Sequence, residues 1–434
     1  MSMIEDQLSR TVALFQTDFG ISDPRTVLRA LTSPRIAIVA SDAVAHSLAG
    51  QTAITTAAML MARSGHQVFV GVPDAIMVGH QPPFAGAHLH EALQQVGGKL
   101  IDGVPINIGP PPGAVDIVFC LGSDLPWIAS PAGRYISVGA SDWEAAVSDI
   151  PLRQLWSSSD WPMGALAAAV LMAAEAIKIT GRMLLPLSPA AGSLRALFED
   201  RPSARMVLAP RYTPIVRDLG EFDIVSAGAV SNAIVYALYR IPGVTADARV
   251  FDRDISDGSN LNRNALLTTD TLEDPKVALF AASAPRGFAL DPIADHYPLD
   301  GSIPLREYVM TGVDDVPTRW ALGRAGARWM GVGATTHFHC MPSVHYAHSA
   351  CAGCLHPRDE AIEGPTPTVS FVSFAAGLFV AAEFLREIAG DSRLASHHRY
   401  MTPLLPGDDS DWSHPVPVNA NCPAGCAASR VVFP

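Results

Sequence analysis

The chain has 434 residues, 49% of them hydrophobic and 17% charged, with a formal net charge of −12. That length and apolar content suit two folded domains of ordinary size and exclude a disordered chain. The acidic balance argues against nucleic acid as a partner, because nucleic acid requires a basic face, and it fits a cytoplasmic enzyme.

The first 35 residues read as helical and polar, with Arg10 inside LSRTVALF and no apolar signal core. PRIAIVAS (34–41) is a short apolar run of the kind found in buried parallel strands. TAITTAAMLMARSG (52–65) reads as an apolar helix stopped by Gly65, followed by a strand at 66–74. Two more strands are expected at 115–124 and 134–141. The helix at 161–181 is apolar, but it is short for a membrane span and carries Glu175 and Lys178, so it is expected to be buried, with no membrane as partner. Residues 183–193 read as a linker, and the domain boundary is placed at Leu187. This divides the chain into 1–187 and 188–434.

The pattern then repeats. Strand, helix and strand are expected at 221–228, 231–243 and 248–254, further strands at 306–315 and 327–334, and a closing apolar helix at 370–390. Alternation of this kind defines an α/β chain with Rossmann-like, doubly wound sheets. AAEAIK (173–178) aligns without a gap on AAEFLR (381–386), which points to a diverged internal duplication in pseudo-twofold arrangement.

The two copies differ in chemistry. In the second, the strand-to-helix turn Ser226-Ala227-Gly228-Ala229 lets a phosphate approach backbone amides at a helix N-terminus. Asp252 and Asp254 end the next strand, where an acidic side chain can accept from ribose hydroxyls. Asn262 and Arg263 follow in NLNR, and Lys276 lies thirteen residues beyond Arg263. Two fixed cations suit a triphosphate whose charge shifts during reaction. Asp314 and Asp315, with Arg319, close the set, and a carboxylate there can hold Mg²⁺ between phosphate oxygens. The corresponding stretch of the first copy, VPDAIMVGHQPPFAG, has no such run and no following lysine. One copy is therefore expected to be active and the other structural.

Cys351 and Cys354 in CAGC, with Cys422 and Cys426 in CPAGC, form two short thiolate pairs suited to a closed, structural Zn²⁺ site. The histidines around the first pair (His337, His339, His345, His348, His356) are not expected to hold a second metal. Cys120 and Cys340 fall in expected strands, where a thiol is more often inert packing than a nucleophile.

DRDISDGSNLNRN, DPK and DDVPTR together resemble the core of the ubiquitin-activating superfamily, which includes ThiF/MoeB-type adenylyltransferases. The resemblance covers roughly residues 222–390. It departs from the family pattern at Ser226, Ala229 and Ser231, which replace glycines, and at Asn264 and Asp315. It implies that Asp252 binds ribose, that Arg263 and Lys276 hold the phosphates of ATP, and that Asp314 positions Mg²⁺. It also implies an inactive fold lending an arginine to the active one, for which Arg10 is the candidate. The second cysteine pair sits where the family has one near its C-terminus. The implied substrate is the C-terminal carboxylate of a ubiquitin-like protein, with a conjugating enzyme as a further partner. The molecule is then a monomer of two pseudo-dimeric domains or a homodimer. The crossover loop after the first cysteine pair has Thr366 and Thr368 but no cysteine for a thioester. Three other readings stay open: adenylation of a free peptide's C-terminus, a scaffold that binds a ubiquitin-like partner without turnover, and an NAD oxidoreductase, for which the cation pair has no use.

Overall fold

A computed structural model describes residues 2–123, 125, 131–151, 156, 159–298, 300, 302–359, 366–391, 393, 395–405 and 413–426. The first sheet is built from β1 (Arg35–Ala40), β2 (Gln67–Gly71), β3 (Ile106–Ile108), β4 (Val115–Leu121), β5 (Ala132–Ala140), β6 (Glu144–Ser148) and β7 (Ser203–Val207). Its order is β3-β2-β1-β4-β5-β6-β7, parallel through β5 and antiparallel at β6 and β7. The nearly unbroken apolar runs of β1 and β4 follow from burial on both faces, as parallel strands covered by helices require.

The second sheet repeats this plan with β8 (Asp218–Val225), β9 (Thr245–Phe251), β10 (Phe288–Ile293), β11 (Tyr308–Thr311) and β12 (Trp329–Val332). A small hairpin of β13 (Thr335–Thr336) and β14 (His339–Cys340) follows, and then β15 (Ser343–Tyr346), β16 (His397–Arg399) and β17 (Ser413–Pro415). The order is β10-β9-β8-β11-β12-β15-β16-β17, parallel through β12 and antiparallel beyond. In both sheets the order reverses beside the first strand, at β1/β4 and at β8/β11, and such a switch point opens a crevice at the carboxyl ends of the strands.

Helices Leu48–Arg63, Met163–Leu184, Ala229–Tyr239 and Ser370–Ile388 pack on one another and on the two sheets. They are apolar almost all round, as helices with no solvent face must be. One apolar core runs through both halves. Met163–Leu187 is the one stretch, among the described residues, long and apolar enough to cross a membrane, and its most apolar window is wholly buried.

Several interactions recur at matching places. Glu175 pairs with Lys178 at 2.5 Å and Glu383 with Arg386 at 3.1 Å, in the two segments that align without a gap. The Gln51 side chain donates to the carbonyls of Ala45 and Ile76 and accepts from the Val78 amide. Asn232, at the same depth in its helix, donates to the carbonyls of Ala227 and Gly228 and accepts from the Leu266 amide.

Residues 183–193, expected to be a linker, are instead the end of one helix, a 3₁₀ turn at Leu185–Leu187 and the start of helix Ala191–Phe198. The prolines there cap and turn helices rather than loosen the chain. The first sheet's strands run on to Val207 and the second sheet's begin at Asp218, downstream of Leu187. β3, β6 and β7 are only three to five residues long, too short for their pattern to stand out in the sequence.

Candidate nucleotide site

β8 ends in the turn Ser226-Ala227-Gly228. Ser226 has φ +85°, a left-handed conformation that glycine adopts at no steric cost and serine does not. The turn therefore keeps the shape of a glycine turn without its first glycine. Ser226 Oγ accepts from the Gly228 amide at 3.1 Å. Gly228 caps helix Ala229–Tyr239 with no side chain on the first-turn amides. Packing also forces close approach here: a Cβ on Gly312 would lie 2.6 Å from Val230 Cβ.

Asp252, just past β9, accepts from the Ala227 amide at 2.6 Å and from the Asp254 amide at 2.7 Å. It braces the turn, and a carboxylate has further acceptor capacity for hydroxyls. Asp254 binds Lys276 Nζ at 2.8 Å, while its carbonyl accepts from the Lys276 amide at 3.0 Å. The lysine is thus aimed from the first residue of helix Lys276–Ser283 by an acid on the strand end.

Arg263 donates to the Ser259 carbonyl and, at 2.8 Å, to Asn262 Oδ1. Asn262 is fully buried and donates from Nδ2 to the Thr11 hydroxyl at 2.9 Å. That bond docks helix Ser9–Phe19, which carries Arg10, against the NLNR run. Burial pushes the Arg263 pKa down to about 10; the charge of Arg10 adds to the fall, and Asp257 and Asp314 oppose it. Arg10 is likewise lowered by burial and supported by Asp257 and Asp314. Two arginines that repel one another, with carboxylates around them, are gathered by residues more than 250 positions apart in the chain.

Asp314 is exposed, and no hydrogen bond to its carboxylate occurs among the described residues. Asp315 instead caps helix Val316–Arg324, accepting from the Thr318 amide at 2.7 Å. Arg319 donates from Nε to the Val313 carbonyl at 2.9 Å and so supports the loop that presents Asp314. Asp314 fits a hard cation held partly by water and phosphate, because one carboxylate is a usual protein contribution to Mg²⁺.

The structure thus joins Ala227, Asp252, Asp254 and Lys276 beside the turn before helix Ala229–Tyr239, and gathers Asn262, Arg263 and Arg10 with the charge of Asp314 near them. Sequence reasoning missed Thr11, Asn232, Asp257 and Arg63. Thr11 and Arg63 belong to the other half of the chain, and nothing local distinguishes them from other helix residues.

Cys351, Cys354, Cys422 and Cys426 offer sulfurs all within 4.8 Å of one another. Neighbouring sulfurs lie 3.1–3.4 Å apart. A tetrahedral zinc with Zn–S of ~2.3 Å would separate them by roughly 3.8 Å, so shifts of a few tenths of an ångström suffice. Gly353 permits the approach: a Cβ there would meet Cys422 Sγ at 3.0 Å. The four-thiol set fits a structural zinc. No further group of metal-ligating side chains occurs among the described residues. The histidines have other roles: His345 bonds the Ala350 carbonyl and Ser343, His337 bonds Asp18, and His339 stacks on Tyr400.

Burial raises the Cys340 thiol to about 12 and the Cys120 thiol to about 11, which disfavours the thiolate that a nucleophile needs. Residues 360–365 of the crossover loop lie outside the described residues.

In comparison with known proteins, the family model described as the BilD N-terminal domain matches residues 35–197. The matched stretch runs from β1 through the helix before β7, in the half that lacks the arginine–lysine pair. No curated protein gives a significant match. Among solved structures, the chain is similar to Escherichia coli MccB with selenomethionine MccA at 12% identity and a TM-score of 0.38, over 67% of this chain and 98% of that one. MccB with AMPCPP and selenomethionine MccA matches at 12% identity and a TM-score of 0.40, again over 67% and 98%. At such identity and TM-score no chemistry passes from MccB to this chain.

Proposed function

We propose that the chain is an ATP-dependent adenylating enzyme of the ubiquitin-activating superfamily, with a silent first copy and an active second copy in pseudo-twofold arrangement. Its substrate is the C-terminal carboxylate of a small ubiquitin-like protein in the cytoplasm. The carboxylate oxygen attacks the α-phosphorus of ATP, the bond to the bridging oxygen breaks, and pyrophosphate leaves with the electron pair. The product is an acyl-adenylate. Mg²⁺, held on the Asp314 side, would neutralise phosphate charge. Arg263, Lys276 and Arg10 stabilise the charge that moves to pyrophosphate, and Asp252 orients the ribose. With no cysteine in the described part of the crossover loop, the adenylate passes to a conjugating enzyme's thiol or another acceptor.

The single observation that carries this reading is the Asn262–Thr11 hydrogen bond at 2.9 Å, which draws the like charges of Arg10 and Arg263 into repulsion beside Asp257 and Asp314. A bound polyanion relieves that repulsion, and a nicotinamide dinucleotide has no comparable need for the extra cation at Lys276. The matched ion pairs and amide contacts of the two halves support the tandem copies.

The test is ATP–pyrophosphate exchange by purified protein with Mg²⁺ and a ubiquitin-like protein ending in glycine. Exchange is expected with the folded protein and is much weaker with a short peptide of the same tail. No exchange with any carboxylate substrate would sink the adenylation reading.

A further inference from the structure

Helix Leu48–Arg63 of the first half ends on an arginine that is completely buried. Among the described residues its guanidinium pairs with no carboxylate. It donates to three backbone carbonyls of the second half: Leu261, Ala265 at 3.2 Å and Leu267 at 2.5 Å. These carbonyls flank Asn262 and Arg263. Residues 261–267 form turns rather than a helix or strand, so no ladder satisfies their carbonyls. The planar fork of an arginine spreads five donors over separated carbonyls, whereas the three donors of a lysine all sit on one nitrogen.

The second half ends its matching helix in the same way. Arg240 follows helix Ala229–Tyr239, is equally buried, stacks on Tyr236 and donates to the Pro82 carbonyl of the first half at 2.9 Å. Each half therefore sends a buried arginine into the loop that follows the other half's second strand. Only one of those loops carries the NLNR run. Burial depresses both guanidinium pKa values, Arg63 to about 9 and Arg240 to about 10, a cost of dehydrating the two charges.

We infer that Arg63 is a positioning residue for nucleotide binding: its fork on the Leu261, Ala265 and Leu267 carbonyls sets where Arg263 meets the phosphates. The silent half then has a second task besides presenting Arg10, since it shapes the loop of the active half. This rests on the nucleotide site of the adenylation reading. Arg240, at the mirrored position, holds a loop with no phosphate ligand and serves as the control.

The experiment compares wild type, Arg63→Lys and Arg240→Lys in the full chain, at a temperature where all three are folded. Two readouts are used: hydrogen exchange of amides 259–268, and MgATP affinity by calorimetry together with the ATP KM of pyrophosphate exchange. For Arg63→Lys the expected results are faster exchange confined to 259–268 and an ATP Kd and KM raised about tenfold, with kcat changed less. Arg240→Lys should lower thermal stability to a similar degree with unchanged ATP Kd. The inference is overturned if both variants weaken MgATP binding alike, or if Arg63→Lys leaves Kd and loop exchange as in wild type. A wild type that binds MgATP but exchanges no pyrophosphate defeats the adenylation reading instead, and the Kd comparison then decides the role of Arg63. Absence of MgATP binding by wild type overturns both.

Discussion

Asn262 Nδ2 donates to the Thr11 hydroxyl at 2.9 Å, and Thr11 in turn donates to the Thr368 carbonyl at 3.2 Å. This pair joins the N-terminal helix, the NLNR run and the last residues of the crossover loop at one buried point. Because Thr11 neighbours Arg10 and Asn262 neighbours Arg263, the bond sets the spacing of the two site arginines. Thr11→Val keeps the shape and removes the hydroxyl. Its exchange kcat/KM is expected to fall about tenfold, since a buried polar group loses its partner. Steady-state exchange kinetics beside a thermal melt separate this from unfolding, and an unaltered kcat/KM would deny the coupling.

The Asp254–Lys276 pair makes a graded prediction. Lys276→Ala removes the cation and should lower exchange by about a hundredfold or more, as for loss of a group that stabilises transition-state charge. Asp254→Asn keeps the lysine but loosens its aim and should cost less. If Asp254→Asn proves as damaging as Lys276→Ala, Asp254 contacts the nucleotide itself.

The four-cysteine cluster should hold one zinc ion per chain, measurable by elemental analysis. Cys354→Ser should lose that zinc and lower the melting temperature, and a chelator acting on wild type should do the same. Metal-free protein with an unchanged melt would make the cluster four reduced thiols.

Glu383 is nearly buried, and burial alone would raise its pKa. His397, Arg399 and Arg386 outweigh that and hold it at about 2, against an ordinary 4.5. A folded pKa below the unfolded one gives stability that is present above pH 4.5 and is lost as pH falls toward 2. The shift corresponds to about 3 kcal/mol. Denaturant melts of wild type and Glu383→Gln should differ most near neutral pH and converge below about pH 3. A gap that does not narrow would remove the carboxylate's charge from the account.

Cys340→Ala and Cys120→Ala should each leave transfer of the activated carboxylate within about twofold of wild type, because their thiols are held protonated. A covalent thioester trapped on either residue would reverse that assignment.

The second sheet's strands β8, β9, β11 and β12 and the turn after β8 were legible because each depends on local pattern: buried parallel strands are apolar, and the charged candidates fall beyond their ends. Small or edge strands such as β6, β7 and β17 were not, since their pairing rather than their composition makes them strands. Asp314 was preferred to Asp315 on resemblance alone, and the structure adds a physical difference, since Asp315 caps its helix on the Thr318 amide.

The sequence by itself determined the α/β class and the two close cysteine pairs, because those follow from hydrophobic period and spacing. Only the tertiary structure decided how the first half takes part. Arg63 and Thr11 lie far from the NLNR run in the chain and carry no local signal. They meet residues 261–267 because four apolar helices pack the two halves into one core. Contacts of that separation are set by packing, which no local pattern records.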